Sequence, residues 1–253
     1  MITGTSAPRL RGSVSVTRPQ WVRSAVHHLQ VYLLMWVWLW VIVVLGVGVA
    51  IAVVDRVGTV NVSIIQFVRN GPLVWFLFSI AVIVATTYLT AHVANGMTRR
   101  SFLTGGLVAA VSSSLLHAVT AAGLLLLEGV LYDRMGWQHD AEPGEEYTAG
   151  VWESGLGVLL VDHALLALAG TLGGLLVGIT YYRLGGWWGT LALPLTISPI
   201  LAVMFMTSWT EAPFVPFDVP GWSAYLIGAA LVLAAGLAFA LLVRRVPIAR
   251  TES

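Results

Sequence analysis

Six stretches of this chain are each about twenty residues or longer and almost free of charge: 31–54, 72–94, 101–127, 156–182, 187–207 and 222–243. About 20 helical residues cross the roughly 30 Å hydrocarbon core of a bilayer, so each stretch is long enough for one crossing. Lipid offers no partner to a peptide N–H or C=O, and the helix, which bonds within itself, is the form such stretches take. Of 253 residues, 58% are hydrophobic and 10% are charged, against about 25% charged in soluble domains. The expected fold is therefore an all-α membrane protein. Residues 1–30 form a cytoplasmic arm with an interfacial helix, 31–245 a six-helix transmembrane domain, and 246–253 a cytoplasmic tail.

Cytoplasmic loops of membrane proteins keep positive charge. Alternating the six spans puts Arg9, Arg11, Arg18, Arg23, Arg99, Arg100, Arg183, Arg244, Arg245 and Arg250 on one side. The other side receives only Arg56, Arg69 and Arg134, together with most of the acids, among them Asp55, Asp133, Asp140, Glu142, Glu145, Glu146, Glu153, Glu211 and Asp218. Both termini are expected in the cytoplasm. Trp187 and Trp188 mark an inner span end, and Trp75, Trp152, Trp209 and Trp222 mark outer ends, at the headgroup level that indole prefers. Ahead of the first span, Trp21, Val22, Ala25, Val26 and Leu29 form an apolar stripe opposite Arg23, Ser24, His27, His28 and Gln30. That pattern predicts a helix lying flat in the inner interface; the plainer alternative is a periodic polar tail.

The chain has no cysteine and no lysine. Thiolate metal sites, disulfides, S-acylation and Schiff-base cofactors are excluded. A phosphate loop ending in Lys is excluded too, so any nucleotide work must be done by another chain. All thirteen basic residues are arginine beside abundant Ala, Gly and Val, a composition that points to a bacterium with a GC-rich genome and hence to its inner membrane. No nucleic-acid partner is expected.

Gly170, Gly174 and Gly178 recur every fourth residue in the fourth span, and Ala224, Gly228, Gly236 and Ala240 form a similar stripe in the sixth. Small stripes let a second helix come close, within the chain or between two copies. Pro194 and Pro199 should kink or locally unwind the fifth span. Trp36, Trp38 and Trp40 serve packing or lipid anchoring, or could stack a ligand.

In the third span Gly106, Ala110, Ser113, His117, Leu124 and Glu128 share a face, with Thr120 beside it. Hydrocarbon penalises such groups, so this face should turn to the bundle interior or to a partner. Asp162 and His163 enter the fourth span at a depth comparable with Glu128. Glu128, Asp162 and His163 are candidates for an intramembrane relay or for structural pairing, and His117 alone is a candidate packing residue. His92, His117 and His163 lie at different depths and cannot share one haem or metal. "WESG" at Ser154 lacks the first glycine of an intramembrane serine-protease signature, and the sixth span has no histidine to serve as base.

Between the second and third spans lies "ANGMTRRSFLTGG". Gly96 can end the second helix in a left-handed cap, and Arg99 and Arg100 hold the turn inside or contact anionic lipid. An N-terminal interfacial helix, six spans with both ends inside, and this loop together resemble the permease subunit of ABC exporters of the type-2 family. The resemblance implies that Gly96, Met97, Thr98, Arg99, Arg100, Ser101 and Phe102 form a coupling element that docks on a separate ABC ATPase subunit. It implies a second permease copy, identical or related, with ATP and Mg bound by the ATPase and no cofactor in this chain. It further implies outward transport along a route past Ser113, His117, Thr120, Glu128, Asp162 and His163. The segment "SWTEAPFVPFDVPG" between the last two spans is shorter than the re-entrant segment common in that family, and the acidic outer loop 132–155 is longer. The competing readings are an intramembrane enzyme or proton relay built on Glu128, Asp162 and His163, and a non-transporting membrane scaffold.

Overall fold

The computed structural model describes residues 18–58, 63–137, 147–208 and 221–245. These are almost wholly helical, with no strand among the described residues. The helices are α1 (Gln20–Val57), α2 (Ile64–Ala94), α3 (Arg99–Met135), α4 (Tyr147–Ser208) and α5 (Gly221–Arg244). Five helices are long and apolar enough to cross a membrane. The N-terminal arm 1–17, the acidic stretch 138–146, the segment 209–220 with its expected hairpin dip, and the tail 246–253 lie outside the described residues.

α4 folds back on itself. Gly185 leaves the helical region at φ 76°, and a Cβ placed on Gly173 would stand 2.4 Å from the Ile200 side chain. Near the bend, Tyr181 Oη and Thr190 Oγ1 are 3.0 Å apart. A glycine is needed because side-chain-bearing residues rarely adopt that dihedral. The outcome is two antiparallel arms, residues 156–184 and 186–207. Pro194 and Pro199 interrupt neither arm: the only non-helical dihedrals in α4 are at Gly155 and Gly185. The expected unwinding at the prolines is therefore absent.

The first arm of α4 is the most enclosed helix, and the glycine stripe explains how it is held. A Cβ on Gly170 would lie 2.9 Å from the Val74 carbonyl oxygen, on Gly174 2.3 Å from that of Phe78, and on Gly178 2.9 Å from that of Val82. α2 therefore lies against this arm backbone to backbone, running in the same direction, which settles the stripe's role as packing within the chain. The stripe on α5 meets the same arm from another side, Gly228 against Leu165 and Gly236 against Leu172.

α1 lies on α3 in parallel. Gln20 Oε1 accepts from Thr98 N at 3.3 Å, and a Cβ on Gly105 would meet Ser24 Oγ at 2.5 Å. Two expectations change here. The segment expected to lie flat is continuous with the first span in one helix of 38 residues, about 57 Å long at about 1.5 Å per residue. Its buried side draws on both stripes: Ser24 and His28 are enclosed together with Ala25, while Trp21 and Val26 are exposed. The groove over Gly105 and Gly106 accepts small or flat side chains and leaves the bulky apolar ones to face outward.

These contacts set the direction of every segment. The start of α1, the turn between α2 and α3, the Gly185 bend and the end of α5 share one face, which carries Arg18, Arg23, Arg99, Arg100, Arg183, Arg244 and Arg245. The opposite face holds Arg56, Arg69 and Arg134 and all the acids among the described residues. We refer to these as the basic and the opposite face.

If α2 and the first arm of α4 touch through backbone, Gly174→Ala should lower the melting temperature of the detergent-purified protein by about 5 °C or more, the usual scale of overpacking. Gly123→Ala, where the added methyl meets nothing within 4 Å, should leave it unchanged or slightly raised. Equal melting of the two variants would contradict the packing.

Candidate functional site

Near the opposite face, the start of α2 is held by groups from other helices. Ser63 caps it, its Oγ accepting from Gln66 N at 3.0 Å. The same hydroxyl donates to Glu128 Oε2 of α3, while Glu128 Oε1 accepts from Ile64 N at 2.9 Å and Ile65 N at 3.1 Å. One carboxylate and one hydroxyl thus satisfy three of the backbone donors that every helix start leaves over. The negative charge also sits at the positive end of the helix dipole, where it is favoured. Tyr132, one turn further along α3, is buried and within hydrogen-bonding reach of the same carboxylate.

About a turn and a half into α2 the backbone passes through a π-helical turn, Arg69–Leu73, which contains Pro72. Proline has no N–H to give to the preceding turn, and the wider turn accommodates it. Arg69 is 1% exposed and pairs through Nη2 with Asp162 Oδ2 of α4. Tyr225 of α5 flanks the pair. His163 packs beside it, its Nδ1 2.8 Å from the Leu159 carbonyl and 3.8 Å from Asp162 Oδ2. A carbonyl only accepts, so Nδ1 carries the proton and, in the neutral ring, Nε2 is a bare acceptor. Among the described residues neither Asp162 Oδ1 nor His163 Nε2 has a hydrogen-bond partner, and both are shielded from solvent.

The expected trio therefore divides into two neighbourhoods on successive turns of α2. Glu128 anchors the helix start, and Asp162 with His163 receives Arg69. The sequence reading leaves Arg69 outside the second span, on the side that also receives Arg56 and Arg134. A single unpaired acid in an apolar span, Asp162, was the available sign that a cation must reach it.

The third-span face turns inward as expected: Gly106, Ala110, Ser113, His117 and Glu128 are buried. Ser113 Oγ donates back to Ala110 O, Thr120 Oγ1 to Leu116 O, and His117 Nδ1 lies 2.8 Å from Ser113 O. Between helices, Ser114 and Thr171 hydroxyls meet at 3.2 Å. The histidines at 92, 117 and 163 lie in separate surroundings, and among the described residues no group of three or more His, Asp or Glu could hold a metal.

On the basic face, Gly96 takes φ 72° and closes α2 as a left-handed cap, with Met97 N donating to His92 O at 3.2 Å. Thr98 then caps α3, its Oγ1 accepting from Ser101 N at 3.1 Å. The connection is only Asn95–Thr98, so no separate coupling helix lies between the spans, and Arg99 and Arg100 are the first residues of α3. Ser101 and Phe102 are buried, Ser101 against His92 Nε2 at 2.9 Å and Phe102 with its ring centroid 5.0 Å from that of His28 and 5.5 Å from that of His92. Gly96, Thr98 and Arg100 are exposed, and Met97 and Arg99 half-buried.

No protein-family model, no curated protein and no solved structure matches this chain.

The Arg69–Asp162 pair makes a definite prediction. Asp162→Ala or Arg69→Ala leaves a buried charge uncompensated and should cost about 3–5 kcal/mol, whereas Arg69→Met with Asp162→Leu should recover most of that loss. Denaturant titration in detergent measures the cycle, and simple additivity of the single changes would show that the two side chains are not coupled.

Proposed function

We propose that the chain is the permease subunit of an ATP-driven exporter of the type-2 ABC kind in a bacterial inner membrane. It crosses six times, each arm of α4 making one crossing, and keeps both termini and the basic face in the cytoplasm. It works as a dimer with a second permease copy, and ATP and Mg bind in a separate ATPase subunit. The observation that supports this best is the pair Arg99 and Arg100 in the first turn of α3, where no acid offsets them. Cations at a helix start oppose its dipole. They add nothing to the stability of α3 and present positive charge to whatever lies at that face. Thr98, Arg99 and Arg100, set on a rigid capped turn tied to α1 through Gln20, suit the carboxylates or carbonyls of a docked ATPase.

Ser101 and Phe102 belong to the supporting core, so the docking element narrows to residues 95–100. Closure of the ATPase would push on this turn. α2 and the first arm of α4, locked along the glycine seam, would tilt together, and the shift would reach Arg69, Asp162 and His163 at the far end. A second reading, an intramembrane relay at Asp162 and His163, draws on the bare Oδ1 and Nε2 there. Turnover of a substrate by the purified chain alone would favour it.

The natural lack of cysteine makes topology easy to read. Asn95→Cys and Gly186→Cys should react with a membrane-impermeant maleimide only in inverted vesicles, and Asp133→Cys only in intact cells. Labelling of Gly186→Cys from outside would refute the double crossing of α4.

Arg99→Glu with Arg100→Glu should leave a folded membrane protein whose affinity for the ATPase from its host falls about a hundredfold or more, with transport lost in parallel. Unchanged copurification of the ATPase would refute the coupling role.

A further inference from the structure

Along α1, at every fourth residue, stand Ser24, His28, Tyr32, Trp36 and Trp40. Each has a polar atom shielded from solvent and without a hydrogen-bond partner among the described residues: Ser24 Oγ, both ring nitrogens of His28, Tyr32 Oη, and Nε1 of Trp36 and Trp40. From Ser24 to Trp40 is about 24 Å of helix at about 1.5 Å per residue. Opposite lies α3, whose side of the seam is built of small residues such as Gly106 and Ala110. At the end of the row farthest from the basic face, the Trp40 ring is 6.4 Å from that of His117, in the middle of α3. His117 Nδ1 is engaged by the Ser113 carbonyl, and Nε2 has no hydrogen-bond partner among the described residues.

Burying one polar group unsatisfied in a membrane is costly, and a regular row of them is not tolerated without a common partner. The chemistry of the row narrows what that partner is. Indole N–H only donates, neutral His117 Nε2 here only accepts, and the Ser and Tyr hydroxyls do both. A partner that serves all of them must donate and accept at each step and be small enough for a seam between packed helices. We infer that the α1–α3 seam holds a file of water molecules running from the basic face to His117. Each water bridges neighbouring side chains, and the last joins the Trp40 N–H to His117 Nε2. Such a file gives a histidine in the middle of the membrane contact with the aqueous phase on one side only. The inference is independent of any ATPase and goes beyond the transport reading.

The full-length protein, labelled with ¹⁵N at tryptophan and reconstituted in lipid bilayers, tests this by water-edited solid-state NMR. Trp40→Phe and Trp36→Phe assign the two indole signals, and lipid-facing Trp38, 59% exposed on the same helix, is the internal reference. Magnetisation from water should reach the Trp36 and Trp40 N–H groups several-fold faster than that of Trp38. Transfer as slow as at Trp38 would overturn the file, and so would an organic compound retained in the seam with dry indoles.

Discussion

A guanidinium and a carboxylate enclosed between helices, Arg69 and Asp162, set the terms for the rest of this molecule. Neither ion is tolerable alone in a medium without water, and each fixes the other's helix: Asp162 draws the first arm of α4 to the start of α2, and Arg69 holds that start inside the bundle. Glu128 completes the arrangement from α3 by taking up the backbone donors that α2 exposes as it begins. Three helices are thereby registered near one face by charge and hydrogen bonding. Further along, glycine and backbone contact take over. α2 and the α4 arm then travel together toward the basic face, Thr90 still touching Tyr182 near its end.

The basic face is short in its connections, capped by Thr98 and cross-tied by Gln20. Among the described residues the opposite face holds the acids, with Glu128, Arg69 and Asp162 buried where α2, α3 and α4 meet. α1 rests on α3 and meets the end of α2 through His27 and His28, whose rings lie against Tyr88, while Leu34, Ile42 and Leu45 are exposed on its outer side.

Much of the fold was legible in the sequence, because hydrocarbon leaves few options: the long apolar helices, the sorting of arginines to one face, the inward turn of the Ser113–His117–Glu128 stripe and the left-handed Gly96 all follow from local pattern. What was not legible depends on distant partners. Arg69 reads as a loop residue until Asp162 is known to reach it, so the first turns of α2 were assigned to solvent. The first turns of α1 bury Ser24 and His28 with Ala25 and leave Trp21 and Val26 outside, because the glycine-floored groove on α3 selects by size, which hydropathy does not register. The two arginines were assigned to a loop, since charge hides a helix start that Thr98 caps. At Pro194 and Pro199 the backbone dihedrals of α4 stay helical, where a kink or local unwinding is expected from the prolines alone.

The claim on which this account rests is that Arg69 is not a surface residue but the buried partner of Asp162. Dipolar recoupling between ¹⁵N-labelled arginine and ¹³C-labelled aspartate carboxyl groups, in protein reconstituted in bilayers, measures that contact directly. The account predicts a strong coupling of hydrogen-bonded strength that disappears in Arg69→Met. A spectrum without such coupling, or one unchanged by that substitution, would contradict it.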